Sequence, residues 1–369
     1  MMQLMFFAAS VLVVFLGHSA FWFLLTRLFT FSLLGEIWLG VAVFFFFCSA
    51  FISSYLIHKW DNIFTRWYYI LSAFWIGLLV NLGLAMAVVL LGRGLFIIFN
   101  FQAPAGLWLN LFFGLGIAFS AWGVYNAWNP VVKKYEVKIK DLPDFWDGKT
   151  IVQISDVHLG PVYRRHFFSR VVRRINAIGP EAVFITGDLF DGMEGNFDWL
   201  GQPLAEIKAP SGLYYSFGNH DQYLGFKQAK QLLSGSPAII LDNKMVEEKG
   251  LQIIGINYSF SKYFDLYGAI LRQVGYSQAK PSLLLFHAPK DIDQAKQAEI
   301  DLQLSGHTHR GQMFPLNWLA KFSHNGYGYG LFRDGDFNLI VTSGVGSWGP
   351  PLRTVGRSEI VKIILRKKK

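Results

Sequence analysis

The chain almost lacks cysteine, with one thiol, Cys48, in 369 residues. Structural disulfides and cysteine-based zinc clusters are therefore excluded, and any bound metal must be held by imidazole, carboxylate or amide. Charge is missing just as unevenly. Up to about residue 130 the only acidic side chains are Glu36 and Asp61, and the only basic ones are Arg27, Lys59, Arg66 and Arg93. Internal repeats and low-complexity linkers are also lacking. No paired charges lie inside the apolar region, which argues against an ion pump.

The charge-poor part holds four apolar stretches, roughly Met5–Thr26, Ile37–Ile57, Tyr69–Leu91 and Ala105–Ala127. Each is long enough to cross a bilayer as a helix, which takes about 20 residues. A cleaved signal peptide fits the first poorly, because no basic residue precedes it and three more stretches follow. His18, Asn81 and Asn110 read as interhelical hydrogen-bonding or interfacial groups. Lys59 and Arg66 fall on the same side as Lys133, Lys134, Lys138 and Lys140, against Arg27 and Arg93 opposite. This asymmetry predicts a multi-pass protein of the cell membrane with its amino terminus and carboxy-terminal domain in the cytoplasm. Asn129 and Pro130 close a four-span region, 1–130, and residues 131–369 form a second domain of ordinary soluble composition.

In that second domain short β-rich runs alternate with amphipathic segments. TIVQIS, EAVFITG, LYYSFG, SLLLFH, DLQLSG and NLIVTSG are predicted as strands, as is the late run EIVKIIL. Phe167, Phe168, Val171, Val172, Ile175 and Ile178 recur at helical spacing. Strands apolar on both faces and separated by helices predict a layered α/β domain, a β-sandwich flanked by helices.

Metal-competent side chains occur at the carboxyl end of one strand after another. In LSGHTHRGQMFP, His307 and His309 stand one residue apart; at a strand end, positions i and i+2 project from one side. ISDVHLG repeats that spacing with Asp156 and His158. ITGDLFDG supplies Asp188, FGNHD supplies Asn219, His220 and Asp221, and LLLFHAP supplies His287. A lone Asp after a strand is most often a helix cap and a lone His a satisfied core residue, but five such pieces converge on one crevice in an α/β sheet. Seven donors exceed the needs of one tetrahedral ion and suit two ions sharing a carboxylate. Mixed imidazole, carboxylate and amide ligation favours Mn, Fe or Zn over Mg or Ca. Such a pair is suited to in-line displacement at phosphorus, so the predicted reaction is phosphoester hydrolysis.

The ordered blocks DVH, GDLFD, GNHD, FHAP and GHTH resemble the calcineurin-like metallophosphoesterase family over about residues 150–350, and the four spans resemble its membrane-tethered subgroup. The resemblance implies one metal on Asp156, His158, Asp188 and His309, and a second on Asp188, Asn219, His287 and His307, with Asp188 as the bridge. It implies that His220 is the catalytic histidine beside the substrate phosphate, with Asp221 orienting it. Arg310 follows the second histidine where many relatives carry glycine, and is either a phosphate contact or a solvent-facing side chain. Arg353, in TSGVGSWGPPLR, either engages a second phosphate or acidic head group or makes a structural ion pair. HNGYGYGLF, with Tyr327, Tyr329 and Phe332, is either an apolar lip or a turn. His166 and His324 lie outside the blocks and receive no role.

A site tethered at a bilayer meets lipid-linked phosphates at high effective concentration. The expected substrate is thus a phosphodiester or pyrophosphate on a lipid or lipid precursor, with UDP-2,3-diacylglucosamine as the candidate that the resemblance offers. A phosphodiesterase for soluble nucleotides or general diesters, anchored only for location, is the second reading. A receptor or scaffold that kept the fold without the chemistry is the third, and the full set of donors weighs against it. The expected partners are the bilayer and a lipid-linked phosphate. Nucleic acid is not expected, since the basic excess does not form an aromatic-interleaved groove. The sequence leaves the oligomeric state open.

Overall fold

The computed structural model describes residues 2–258 and 266–368. Contacts between Cα atoms divide the chain into two compact units: Met1–Tyr125 with Gly349–Leu352, and Asn126–Trp348 with Arg353–Lys369.

The first unit is built on α1 (Met2–Leu28), α2 (Leu33–Lys59), α3 (Ile63–Ile98) and α4 (Ala105–Trp128). All four are long and apolar enough to cross a membrane. Two start earlier than the apolar runs because polar residues cap them. Ser32 Oγ accepts the Gly35 N–H ahead of α2, and Asn62 with Thr65 forms a capping box ahead of α3. Leu25, Leu82, Ala85, Met86, Val89, Trp108 and Phe112 form the core. The buried polar groups find one another across helices. Asn81 Nδ2 donates to Ser120 Oγ at 2.9 Å, and Trp75 Nε1 donates to His18 Nε2 at 2.9 Å. Asn110 is exposed.

The second unit carries, in chain order, β1 (Val131–Ile139), β2 (Thr150–Ile154), α5 (Arg165–Ile178), β3 (Ala182–Thr186), α6 (Gly201–Ala205), β4 (Leu213–Ser216), α7 (Asn219–Leu224) and α8 (Phe226–Leu233). There follow β5 (Ala238–Ile240), β6 (Lys244–Glu248), β7 (Leu251–Ile256), α9 (Leu266–Gln273), β8 (Ser282–Phe286) and α10 (Ile292–Gln297). The last are β9 (Leu302–Ser305), α11 (Leu316–Ser323), β10 (Gly330–Asp334), β11 (Phe337–Val341) and β12 (Glu359–Lys367). They pair into two six-stranded sheets, ordered β1-β12-β2-β3-β4-β5 and β10-β11-β9-β8-β7-β6. Neighbours from β2 to β5 run parallel, as do β7, β8, β9 and β11, while β12 runs antiparallel to β2.

The period of two along each strand sorts its side chains into two layers. On β3, Val183 and Ile185 pack toward Val171, Val172 and Ile175 of α5, whereas Ala182 and Phe184 face Leu283, Leu285, Leu302 and Leu304 of the other sheet. Helices α9 and α10 cover the second sheet's outer face through Tyr267, Ile270, Leu271, Ile292 and Ala295. The result is the expected sandwich flanked by helices. Because the inner strands of both sheets are parallel, the carboxyl ends of β2, β3, β4, β8 and β9 all carry the loops that bear the predicted donors.

Candidate metal centre

Each donor sits where a buried strand stops. Asp156, His158, Asp188, His307 and His309 have φ of 52°, 51°, 51°, 70° and 48°, in the left-handed region. The chain thus turns sharply at each donor, at a small cost in backbone strain that aspartate and histidine bear more readily than most side chains. Two glycines allow the loops to close up. A Cβ on Gly218 would fall 2.1 Å from Asp188 Oδ1, and one on Gly306 would fall 2.2 Å from Asp156 Oδ2.

The donors gather into two clusters. In the first, His309 Nε2 lies 3.3 Å from Asp156 Oδ1 and 3.0 Å from His158 Nε2. In the second, Asp188 Oδ2 lies 3.0 Å from His287 Nε2, which is 3.3 Å from His307 Nδ1. Asp188 Oδ2 also comes within 4.0 Å of His158 Nε2, so one carboxylate reaches both. Its Oδ1 accepts the His220 N–H at 2.8 Å. Asn219 lies between Gly218 and His220, and its Oδ1 is buried without a hydrogen-bond partner.

Three rings are fixed through their other nitrogen. His158 Nδ1 is 3.1 Å from Asp191 Oδ1, His287 Nδ1 donates to the Thr186 carbonyl at 2.8 Å, and His220 Nδ1 donates to the Asp191 carbonyl at 2.9 Å. Such bonds set the tautomer and leave Nε2 for the pocket. Asp191 was legible only as the second carboxylate of GDLFD; nothing in the sequence marked it as the residue that holds two histidines. The ring of His158 lies 4.6 Å from that of His220, centroid to centroid.

Electrostatically the pocket favours a cation. Burial lowers the pKa of His158 and His309, and burial with the charge of His287 brings His307 down to about 3. Those rings stay neutral, with lone pairs available. Burial would raise the Asp188 carboxyl, but the adjacent His287 holds it well below the usual range. Against its own burial, His287 is pushed up to about 9 by Asp188. His287 therefore carries a proton between carboxylates, supplying positive charge where ions would supply it. Two imidazole nitrogens 3.0 Å apart and an orphaned amide oxygen likewise fit divalent cations, and Asp156, His158 and His309, like Asp188, His287 and His307, lie close enough to hold one.

Two expectations are corrected. Asp221 does not orient His220 by a hydrogen bond to its ring. Its carboxylate accepts the backbone N–H groups of Asp188, Phe190 and Gly218 at 2.8, 3.2 and 2.7 Å, fixing the loop that presents Asp188. Burial and the charge of Asp188 raise its pKa to about 6. Arg353 does not face a substrate, being fully buried. It donates to the carbonyls of Gly346, His309 and Ser343 at 3.0, 3.2 and 2.6 Å, and its Nη2 lies 3.0 Å from His309 Nδ1. Chain folding turns this arginine inward, under a donor of the first cluster. Arg310 stacks its guanidinium 4.3 Å from the Tyr329 ring centroid and makes no salt bridge among the described residues. Tyr223 and Trp348, both exposed, flank the His220 ring at 5.1 and 5.8 Å. The side chain of Gln312 clamps the backbone of Trp348 through two hydrogen bonds.

The family model of the calcineurin-like phosphoesterases matches residues 149–311. The chain is 33 % identical over 271 residues to a transmembrane protein with metallophosphoesterase domain from Danio rerio, covering 67 % of this chain and 60 % of that protein. It is 34 % identical over 268 residues to an uncharacterized metallophosphoesterase of Campylobacter jejuni, covering 71 % of each. Among solved structures, a dimetal phosphatase from Danio rerio aligns with a TM-score of 0.36 and 14 % identity over 59 % of this chain and 99 % of that one. The chain spans less than two thirds of the length of several of its curated relatives, the Danio rerio transmembrane protein among them.

Proposed function

Since the chain belongs to the calcineurin-like metallophosphoesterase family, we propose that its second unit hydrolyses a phosphodiester or pyrophosphate bond with the help of two divalent cations, Mn, Fe or Zn. The observation that carries this reading is the reach of Asp188 to both donor clusters, 3.0 Å from His287 and 4.0 Å from His158. Asp156, His158, Asp188 and His309 would hold one cation, and Asp188, Asn219, His287 and His307 would hold the other. When bound, such a pair neutralises phosphoryl oxygens and lowers the pKa of water.

The chain's own residues do the rest. His220, anchored through Nδ1 to the Asp191 carbonyl, keeps Nε2 for the substrate; protonated on both nitrogens, it gives the Nε2 proton to the leaving oxygen and recovers one from the attacking water. Asp221 fixes the loop carrying Asp188, and Arg353 fixes His309. The guanidinium of Arg310 is the group offered to a substrate phosphate.

The substrate is a lipid or lipid-linked phosphate, with a UDP-2,3-diacylglucosamine type as a candidate, and the catalytic unit faces the cytoplasm. Four apolar helices in the same chain support this, because a site confined to the bilayer surface meets lipid phosphates at raised effective concentration. The exposed Tyr223 and Trp348 beside His220 suit an apolar or planar leaving group. The test is to incubate the purified, metal-loaded protein and its Asp188→Asn variant with cell-derived lipid extract and compare phosphorus-containing products. A product formed by the native protein alone is the expected result. Identical profiles, with turnover of soluble diesters intact, would return the substrate to the soluble class.

A further inference from the structure

Helix α11 (Leu316–Ser323, LNWLAKFS) buries none of its residues. Leu316, Trp318, Leu319 and Phe322 are exposed to 48, 65, 62 and 83 %. The second unit exposes nine large apolar side chains among the described residues, and these four share one eight-residue element. Scattered apolar exposure is ordinary on a protein surface, whereas a contiguous patch marks a contact. The helix also packs against the turn that precedes it. It follows the Gly-Gln turn of the GHTHRGQ block, and Phe314 packs edge to face on Trp318 at 5.1 Å. A Cβ on Gly311 would fall 2.4 Å from the Asn317 backbone, so the turn and the helix are in close contact. A cavity of about 300 Å³ beside it is lined by Arg310, Asn317, Lys321 and Tyr329.

We propose that α11 is an interfacial membrane anchor, with Leu316, Trp318, Leu319 and Phe322 entering the headgroup boundary of a bilayer and Lys321 meeting its anionic phosphates. The occupant is a lipid surface because of the way the chain is joined. The last long apolar helix ends at Trp128 and β1 begins at Val131, so two residues, spanning at most about 10 Å over three peptide steps, connect them. A linker that short keeps the start of β1 beside the end of an apolar helix long enough to span a membrane, so a bilayer is the apolar surface within constant reach of this unit. Tryptophan, phenylalanine and leucine with a flanking lysine are the composition that settles at that depth. The anchor would sit seven residues from His309, so its insertion would bring the metal centre to the layer where lipid phosphates lie. This inference goes beyond the proposed hydrolysis and does not depend on it, since immersion is measured rather than turnover.

The test uses the full chain with Cys48→Ala, the only native thiol, and single Trp318→Cys, Phe322→Cys or Asp293→Cys substitutions. Asp293, on α10, has a side chain 91 % exposed and serves as the control. Each thiol carries an environment-sensitive fluorophore, and the proteins are reconstituted in phosphatidylcholine–phosphatidylglycerol vesicles with or without doxyl-labelled lipid. Blue-shifted emission and severalfold stronger doxyl quenching at 318 and 322 than at 293 is the expected result. Water-like emission without quenching at both sites overturns the proposal. So does a blue shift that persists in detergent and is indifferent to doxyl lipid, which would mean that a second copy or another protein covers the helix.

Discussion

The two donor clusters are built from the same kinds of side chain but held in different ways. In the first, His158 leans on the carboxylate of Asp191 and His309 on the guanidinium of Arg353. In the second, His287 leans on a main-chain carbonyl, that of Thr186, and Asp188 accepts a main-chain N–H. Side-chain supports can be removed by mutation one at a time, while main-chain supports come with the strand itself. For the rings of His158, His309 and His287, the first cluster is therefore the adjustable half of the site and the second its fixed half.

The largest expected effect is one that erases the distinction. Asp188→Asn weakens the carboxylate shared by both clusters, so both ions should be lost together and turnover should fall by more than the roughly 100-fold that outer contacts command. Elemental analysis beside a kinetic assay checks this; loss of a single equivalent would mean that Asp188 does not bridge. Next, His220→Ala should lower kcat by about 10²–10⁴-fold with metal content unchanged, since in the proposed reaction the ring acts on the proton and not on the ions. Unchanged turnover would remove His220 from the mechanism.

Asp191→Asn should sharpen the comparison. It should weaken one ion by about 10–100-fold and leave the other in place, as biphasic loading in a metal titration. Equal weakening of both would show that the supports are not separable. The smallest effect concerns the fixed half. In metal-free protein the folded pKa of His287, about 9, lies above the ordinary imidazole value of about 6.5. Its contribution to stability is then complete below about pH 6.5 and lost as pH rises through about 9. The unfolding midpoint of chelator-treated protein should fall across that window, whereas metal-loaded protein should not share the fall, because there the ions supply the positive charge.

Much of this was legible in the sequence because its signals are local. Apolar length announced the spans, and strand-then-donor punctuation announced DVH, GNHD and GHTH. What stayed hidden depends on which way a side chain turns once strands pair. Arg353 reads as a phosphate ligand or as half of a structural ion pair until β12 and the loop before it draw it into the interior, where it meets main-chain carbonyls. The role expected of the Asp221 carboxylate falls to the main-chain carbonyl of Asp191, which meets the His220 ring while Asp221 turns to backbone N–H groups. Strand β1 was missed because its lysines, Lys133, Lys134 and Lys138, lie on an edge paired only to β12 and break the apolar pattern. Strand β7 was missed because Gly255 interrupts it, although a Cβ there would fall 2.3 Å from the Leu241 carbonyl.

The left-handed backbone at five donors limits what chemistry this scaffold can be given. Among side chains that can ligate a metal, asparagine, aspartate and histidine tolerate that conformation best. A designer wishing to retune these loops for another ion would find those three letters the easiest to place at positions 156, 158, 188, 307 and 309, although Glu299 and Gln312 also take a positive φ elsewhere in the chain. Lengthening a carboxylate to glutamate there would give up the local hydrogen bonding that eases aspartate into such a turn.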